Sequence, residues 1–339
     1  MPQKEALLYK KNEDFSVECL LCHHHCRIPE GEYGFCGVRQ NIGGKLYSNI
    51  YGDLIACHVD PIEKKPLFHF LPGSRSFSIA TIGCNFRCNF CQNWQISQVK
   101  EARRLEAEPV AMYPEEIVAQ AEKHHCRSIS YTYTEPTIFF ETAYDTARLA
   151  KQKGLYNIFV TNGYMTEKAL KMIQPCLDAA NVDLKFFNDD NYRRICRGSL
   201  APVLETIKLM HQLKIWIEVT TLVVPSLNDS PGELRQIADF IAGVGNEIPW
   251  HISRFRPDYQ SMDLPATPVE KLEEACNIGR EAGLRYVYTG NSTLEENTYC
   301  YKCGRKLITR IGFQVAENDI KESRCSGCGA VIDGVGLSV

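Results

Sequence analysis

Between residues 76 and 290 the chain repeats one rhythm, and that rhythm permits few folds. Short apolar runs rich in β-branched and aromatic residues stand at 76–83, 128–133, 157–162, 181–186, 216–224, 250–255 and 285–290. Amphipathic helical segments fill the gaps. One opens at Pro114-Glu115-Glu116, and another is built on Ala143, Ala147 and Ala150 and stops at Gly154. Others run near 166–176, 200–213, 231–243 and 268–282. Near-continuously apolar strands are buried on both faces, which places them in a parallel sheet covered by helices. The units predict the α/β class and a partial (β/α)6-type TIM barrel, where chemistry sits at the C-terminal ends of the strands.

Both ends depart from this rhythm. Residues 1–75 predict a Cys-rich metal-binding extension that includes the loop DPIEKKPLFHFLPG (60–73), residues 76–294 the barrel, and residues 295–339 a zinc-ribbon or rubredoxin-like module. The 38 basic and 41 acidic residues nearly balance, so charge gives no argument for nucleic acid. No 18-residue apolar run suggests a membrane helix, and MPQKEALLYKKNEDFSVE lacks the apolar core of an export signal, so a cytoplasmic setting is expected. Sixteen cysteines in a large chain of that kind point to metal rather than disulfides. Eleven of them cluster. Cys57, Cys126, Cys176, Cys196 and Cys276 are scattered and read as small buried hydrophobes.

The central cluster lies in TIGCNFRCNFCQNW, where Cys84, Cys88 and Cys91 follow the first strand with C-x3-C-x2-C spacing. Three thiolates in one strand-exit loop suit one face of a [4Fe–4S] cube and leave an iron open, whereas closed clusters use four cysteines. The alternative is a zinc ion completed by a distant ligand.

CNFRCNFC after a βα-barrel strand resembles the radical S-adenosylmethionine (SAM) signature C-x3-C-x-Φ-C, with Phe90 as Φ. The resemblance implies that SAM chelates the open iron and is cleaved reductively to a 5′-deoxyadenosyl radical, the cofactor carrying the chemistry. Tyr133-Thr134-Glu135-Pro136 resembles the superfamily's Gly-Gly-Glu-Pro segment, with Tyr133 and Thr134 in place of the glycines and Glu135 matched to the residue that holds the SAM amino group. Thr161-Asn162-Gly163 is similar to the Thr-Asn-Gly of glycyl-radical activating enzymes, although Val160 replaces the Asp that binds a cation there. Asp183-Leu184-Lys185 resembles their Asp-x-Lys segment, and His251 aligns with a His that approaches SAM. Phe90, Glu135, Thr161, Asn162, Asp183, Lys185 and His251 are thus the expected SAM-binding set. Arg254, Arg256, Glu218 and Asn228 either line a substrate pocket or form surface ion pairs.

Two flanking clusters remain. Cys19, Cys22, Cys26 and Cys36 supply four thiolates that close a shell, for a structural zinc ion or a second [4Fe–4S] cluster, with zinc preferred. His23, His24 and His25 are mostly solvated loop in this reading. Cys300, Cys303, Cys325 and Cys328 form two C-x2-C-G knuckles, which predict a tetrahedral site, zinc before redox iron.

Nearly the whole chain resembles one branch, the AmmeMemoRadiSam system radical SAM enzymes, related to pyruvate formate-lyase activating enzymes. CLLCHHHC with GEYGFCGVR, DPIEKKPLFHFLPG, GCNFRCNFCQNWQISQ, YTYTEP, VTNGY, TTLVVPSLND and YTGN before NTYCYKCG carry the match. The resemblance implies a flavodoxin- or ferredoxin-type reductant and companions of the AMMECR and Memo types. Two further functional expectations stand beside it: activation of a partner glycyl-radical enzyme, and a non-catalytic multi-metal scaffold.

Overall fold

The computed structural model describes residues 3–104, 106 and 108–338. Its centre is an eight-stranded sheet. In chain order the strands are β1 (Ala56–Pro61), β2 (Arg75–Ala80), β3 (Ser128–Tyr131), β4 (Tyr156–Thr161), β5 (Ala179–Asp183), β6 (Trp216–Val223), β7 (Trp250–Arg254) and β8 (Val287–Gly290). They lie side by side in that same order. Strands β2 to β8 are parallel throughout. Only β1 runs against its neighbour, pairing Ala56 with Ala80 and Pro61 with Arg75.

Each parallel crossover carries a helix: α1 (Pro114–Lys123), α2 (Phe140–Gln152), α3 (Glu167–Ile173), α4 (Leu200–Gln212), α5 (Pro231–Val244) and α6 (Val269–Glu281). Their starts are written in local chemistry. Thr166 accepts a hydrogen bond from the Ala169 amide at 3.3 Å, and Ser230 from the Glu233 amide at 3.2 Å, satisfying donors that the first turn leaves open. Small residues let α2 approach the sheet, with Ala143, Ala147 and Ala150 fully buried. A fully apolar strand needs such a lid on its outer face.

The N-terminal edge of the sheet is sealed by the segment 62–73. Ile62, Leu67, Phe70 and Leu71 pack against Ile158 and Ala179, early residues of β4 and β5. Glu218 of β6 anchors this seal. Its buried carboxylate accepts the backbone amides of Phe68 at 3.0 Å and His69 at 2.8 Å, the Trp216 indole at 3.1 Å and the His251 ring at 2.6 Å. Burial pushes this carboxyl up, but His251, His69 and the Phe68 amide outweigh it and hold it below its ordinary range.

The C-terminal segment closes over the same edge. Phe68, Tyr286, Tyr288, Leu307, Ile308 and Ile332 form one small core. Arg310 is buried there, giving a hydrogen bond to the Phe68 carbonyl at 2.8 Å and lying 4.1 Å over the Phe68 ring. Glu218 and Asn228 are therefore neither surface ion-pair residues nor pocket lining. Asn228 is buried, accepting from the Val224 amide at 2.6 Å and donating to the Lys185 carbonyl at 2.7 Å, so it clamps the turn after β6.

His69 is a pH-sensitive member of this seal. Its Nδ1 donates to the Asp333 carbonyl at 2.6 Å, and its Nε2 lies 2.6 Å from the Tyr288 hydroxyl. Burial pulls its pKa down to about 4. A base whose folded pKa is depressed contributes stability above its unfolded value, near 6.5, and loses it as pH falls toward the folded value. The melting temperature of the wild-type chain should therefore drop between about pH 6.5 and pH 4. In His69→Gln that slope should flatten, from a lower starting stability, when both are followed by circular dichroism.

Candidate active site

The three central cysteines sit on the loop that leaves the C-terminal end of β2. Gly83 turns the chain at φ +105°, and a methyl group there would meet Val38 at 2.9 Å and the Cys36 carbonyl at 3.3 Å, so the loop needs glycine. Arg87 braces the loop from within. Its guanidinium donates to the carbonyls of Cys84 at 2.7 Å and Phe86 at 2.8 Å, and its amide to the Cys196 carbonyl at 2.9 Å. The Phe86 amide points at the Cys84 sulfur at 3.3 Å. Cys91 lies 3.2 Å from the Ser97 hydroxyl.

The ends of β3 and β4 reach this loop through hydrogen bonds. Glu135 is 2% exposed and makes the junction. One carboxylate oxygen accepts the Thr137 amide at 3.0 Å, the Thr137 hydroxyl at 2.5 Å and the Thr161 hydroxyl at 2.7 Å; the other accepts the Asn162 amide at 2.8 Å. Asn162 carries the link onward, donating to Asn85 Oδ1 at 2.7 Å beside Cys84. Gly163 follows at φ +70°, where an added methyl would strike Val182 at 2.9 Å. From β5, Asp183 pairs with Lys185 at 2.8 Å. Burial lowers the Lys185 pKa, but the charges of Asp183, Cys88 and Cys196 overcome it and hold it well above the ordinary lysine value.

Burial, with the nearby charge of Glu135, pushes the Cys84 thiol well up, so its proton leaves only when a cation arrives. The Cys88 thiol is also held well up, by the Cys196 thiol beside it and then by burial. Cys196, read from sequence as a scattered hydrophobe, is thus a neighbour of the site. Only the fold brings it there, from far along the chain.

Two polar atoms in this region have no partner, Asn85 Nδ2 next to Cys84 and Thr220 Oγ1 in register with Asp183. Among the described residues, no three of Cys84, Cys88 and Cys91 and their neighbours bring ligand atoms within 4.8 Å of one another. A single ion would need them that close; a multi-iron cluster spreads them, and the residues present fit that larger group with a polar ligand beside it.

The other expected residues separate. Phe90 is buried and packs edge-on to Phe186, with ring centroids 6.0 Å apart. The Val160 side chain offers no oxygen to a cation. His251 is not brought to this cluster. It faces Glu218, Phe68 and Tyr288, at the edge sealed by the segment that enters β2. Tyr133, standing where the resembled segment has glycine, takes φ +60°, which costs roughly 1–2 kcal/mol for a residue with a side chain. Its hydroxyl is held by Asp60, and Asp60 pairs with buried Lys65 at 2.6 Å. Burial lowers that lysine to about 8. The sequence offers no spacing signal for this trio; only the antiparallel pairing of β1 assembles it.

The radical SAM superfamily pattern matches residues 78–241, the span from β2 through α5. The chain is 48% identical over 335 residues to an uncharacterized protein of Methanocaldococcus jannaschii, covering 97% of this chain and 99% of the relative. It is also 23% identical over 203 residues to a pyruvate formate-lyase-activating enzyme of Clostridium pasteurianum, covering 56% of this chain and 83% of that enzyme. The fold is similar to that of Streptococcus suis SuiB bound to S-adenosylmethionine (TM-score 0.51, 11% identity, 68% of this chain and 53% of that one). The chain belongs to the radical SAM superfamily and is related to the glycyl-radical and pyruvate formate-lyase activating enzymes. Its class is therefore an enzyme that uses a [4Fe–4S] cluster and SAM. Among the described residues, no helix is long and apolar enough to cross a membrane.

The C-terminal knuckles form a different kind of site. The sulfurs of Cys300, Cys303, Cys325 and Cys328 all lie within 4.8 Å of one another, with Cys300–Cys328 at 3.6 Å and Cys303–Cys325 at 3.7 Å. Four thiolates about 2.3 Å from one tetrahedral ion are about 3.8 Å apart, so this site is shaped for a single metal ion. Stripping that ion with a chelator should lower the melting temperature and leave the SAM-responsive iron signal in place. An unchanged melting curve after metal loss would show that the ion is not structural.

Proposed function

We propose that the chain is an AmmeMemoRadiSam-type radical SAM oxidoreductase, with its parallel sheet curved into a partial barrel whose C-terminal edge holds the cofactors. Cys84, Cys88 and Cys91 ligate the cluster, and Glu135, Thr161, Asn162, Asp183, Lys185 and Phe90 hold SAM. When bound, the cluster and SAM together supply one-electron cleavage of the sulfonium to methionine and a 5′-deoxyadenosyl radical that abstracts hydrogen.

The observation that carries this reading is the hydrogen-bonded path Glu135–Asn162–Asn85, which joins two strand ends to the residue after Cys84. Glu135 offers a buried negative charge to an ammonium group. Lys185, kept protonated by Asp183, offers a cation to a carboxylate. Asn162 orients both the loop and the amide beside it. The tight packing of Phe86 against Gly198, where a methyl would sit 2.4 Å from the ring, keeps water from the cysteine loop on that side.

A reductant of the flavodoxin or ferredoxin class supplies the electron in this reading, companions of the AMMECR and Memo types act with it, and the C-terminal ion is zinc. A second reading, activation of a glycyl-radical partner, draws on the activating enzymes among the relatives.

Anaerobically reconstituted protein given dithionite and SAM should form 5′-deoxyadenosine, and Cys84→Ala should abolish it. Asn162→Ala, which removes a SAM contact and frees the loop but keeps all three cysteines, should lower the rate by about 10–100-fold. Equal 5′-deoxyadenosine from wild type and Cys84→Ala would refute the assignment. A glycyl-radical signal raised in a partner enzyme would select the activase reading.

A further inference from the structure

The N-terminal cysteines are arranged unlike the C-terminal ones. Among the described residues, no three of the Cys19, Cys22, Cys26 and Cys36 sulfurs lie within 4.8 Å of one another, although the C-terminal four all do. The four instead surround one cavity, completed by Leu21, Ile28, Thr137, Ile138 and Arg39. A zinc ion needs sulfurs about 3.8 Å apart. A cube in which each thiolate binds its own iron needs them farther apart, around a hollow.

A second observation points into the same cavity. Arg39 is 2% exposed and lines it. Its guanidinium meets Glu141 through both terminal nitrogens, at 3.3 and 2.5 Å, yet its Nε is buried with no partner. An orphaned cationic donor on a residue that lines the same cavity as four cysteines is costly unless an anionic group fills the hollow. Sulfide-bridged iron on four thiolates is such a group. Backbone donation to sulfur is already in place, from the Phe35 amide to Cys26 at 3.4 Å.

The cavity also borders the loop of the SAM site. On one side Cys26 is partly exposed, beside Phe35 (38% exposed). On the other, the Cys36 carbonyl packs against Gly83, the residue before Cys84. His24 Nε2 donates to the Asn85 carbonyl at 2.6 Å, and Arg87, which holds the Cys84 carbonyl, also holds the Phe35 carbonyl and lies 4.5 Å over the Phe35 ring. The two cysteine loops are thus in direct contact, with Cys26 partly exposed on one and Cys84 and Cys91 on the other.

We propose that Cys19, Cys22, Cys26 and Cys36 hold a second [4Fe–4S] cluster, closed by protein ligands, and that it relays electrons to the SAM site. In each cycle a reduced flavodoxin- or ferredoxin-class donor gives one electron to this cluster, taking it from the 2+ to the 1+ state. The cluster passes that electron to the SAM site and returns to 2+, with no proton or bond changing hands. The relay rests on the radical SAM reading; the occupancy of the cavity does not.

The test uses the full chain, reconstituted anaerobically with iron and sulfide. A Cys84→Ala/Cys88→Ala/Cys91→Ala variant should retain about four irons and four sulfides per chain. It should give a reduced-cluster EPR signal that SAM does not alter. One zinc and no iron in that variant would overturn the proposal, whatever the outcome of SAM cleavage in the wild type. For the relay, Cys22→Ser should lower the ratio of flavodoxin-driven to dithionite-driven 5′-deoxyadenosine formation, because dithionite reaches the SAM-site cluster directly. A ratio equal to that of the wild type would refute the relay, and iron content of the triple variant would still report on the cluster alone.

Discussion

Seven parallel strands in sequential order send every strand exit to one edge of the sheet and every strand entry to the other. At the exits polar residues of neighbouring strands meet one another beside the cysteine loop. The entries must be covered, or the apolar interior would meet water. Glu218 meets that second need, because a buried carboxylate can accept two amides of the covering segment and a histidine at once. A buried carboxylate is tolerated only when its lone pairs are this fully used. With one edge sealed, the other becomes the chemical face.

At that face the order of interactions runs from backbone to side chain to cluster loop. Glu135 takes up donors from its own turn and from β4, which places Asn162, and Asn162 then reaches the loop of Cys84. Tyr133 sits in the left-handed region that a glycine would occupy more easily, and its hydroxyl reaches Asp60 on the antiparallel edge strand. This exchanges backbone ease for a tie between the active edge and the buried Asp60–Lys65 pair.

The three cysteine groups show how far local spacing can be read. C-x2-C-G knuckles bring their four sulfurs to within a single ion's reach because two tight turns face each other. Cys19, Cys22, Cys26 and Cys36 also have short spacings, but they line a hollow with Arg39, which enters from a different strand (Arg39–Ile42). Spacing along a chain sets how many thiolates are available. The distance between them depends on what packs around the turns.

The seven parallel strands and their helices were legible because burial on both faces leaves a continuous apolar run, and three cysteines in eight residues marked a candidate metal loop by spacing alone. Strand β1 was not legible: it is short and carries His58 and Asp60, and it exists only by pairing with β2. His251 followed the strand-end pattern, yet its ring turns to Glu218, since a side chain's direction depends on the neighbours it finds. Cys196 looked like one more buried thiol until the fold set it against Cys88. By itself the sequence determined the sheet, its connections and the supply of thiolates, all properties of local pattern and short spacing. Tertiary structure alone decided which strand-end groups reach the cysteine loop, which edge is closed and how far apart the sulfurs stand, because these are distances between segments remote in the chain.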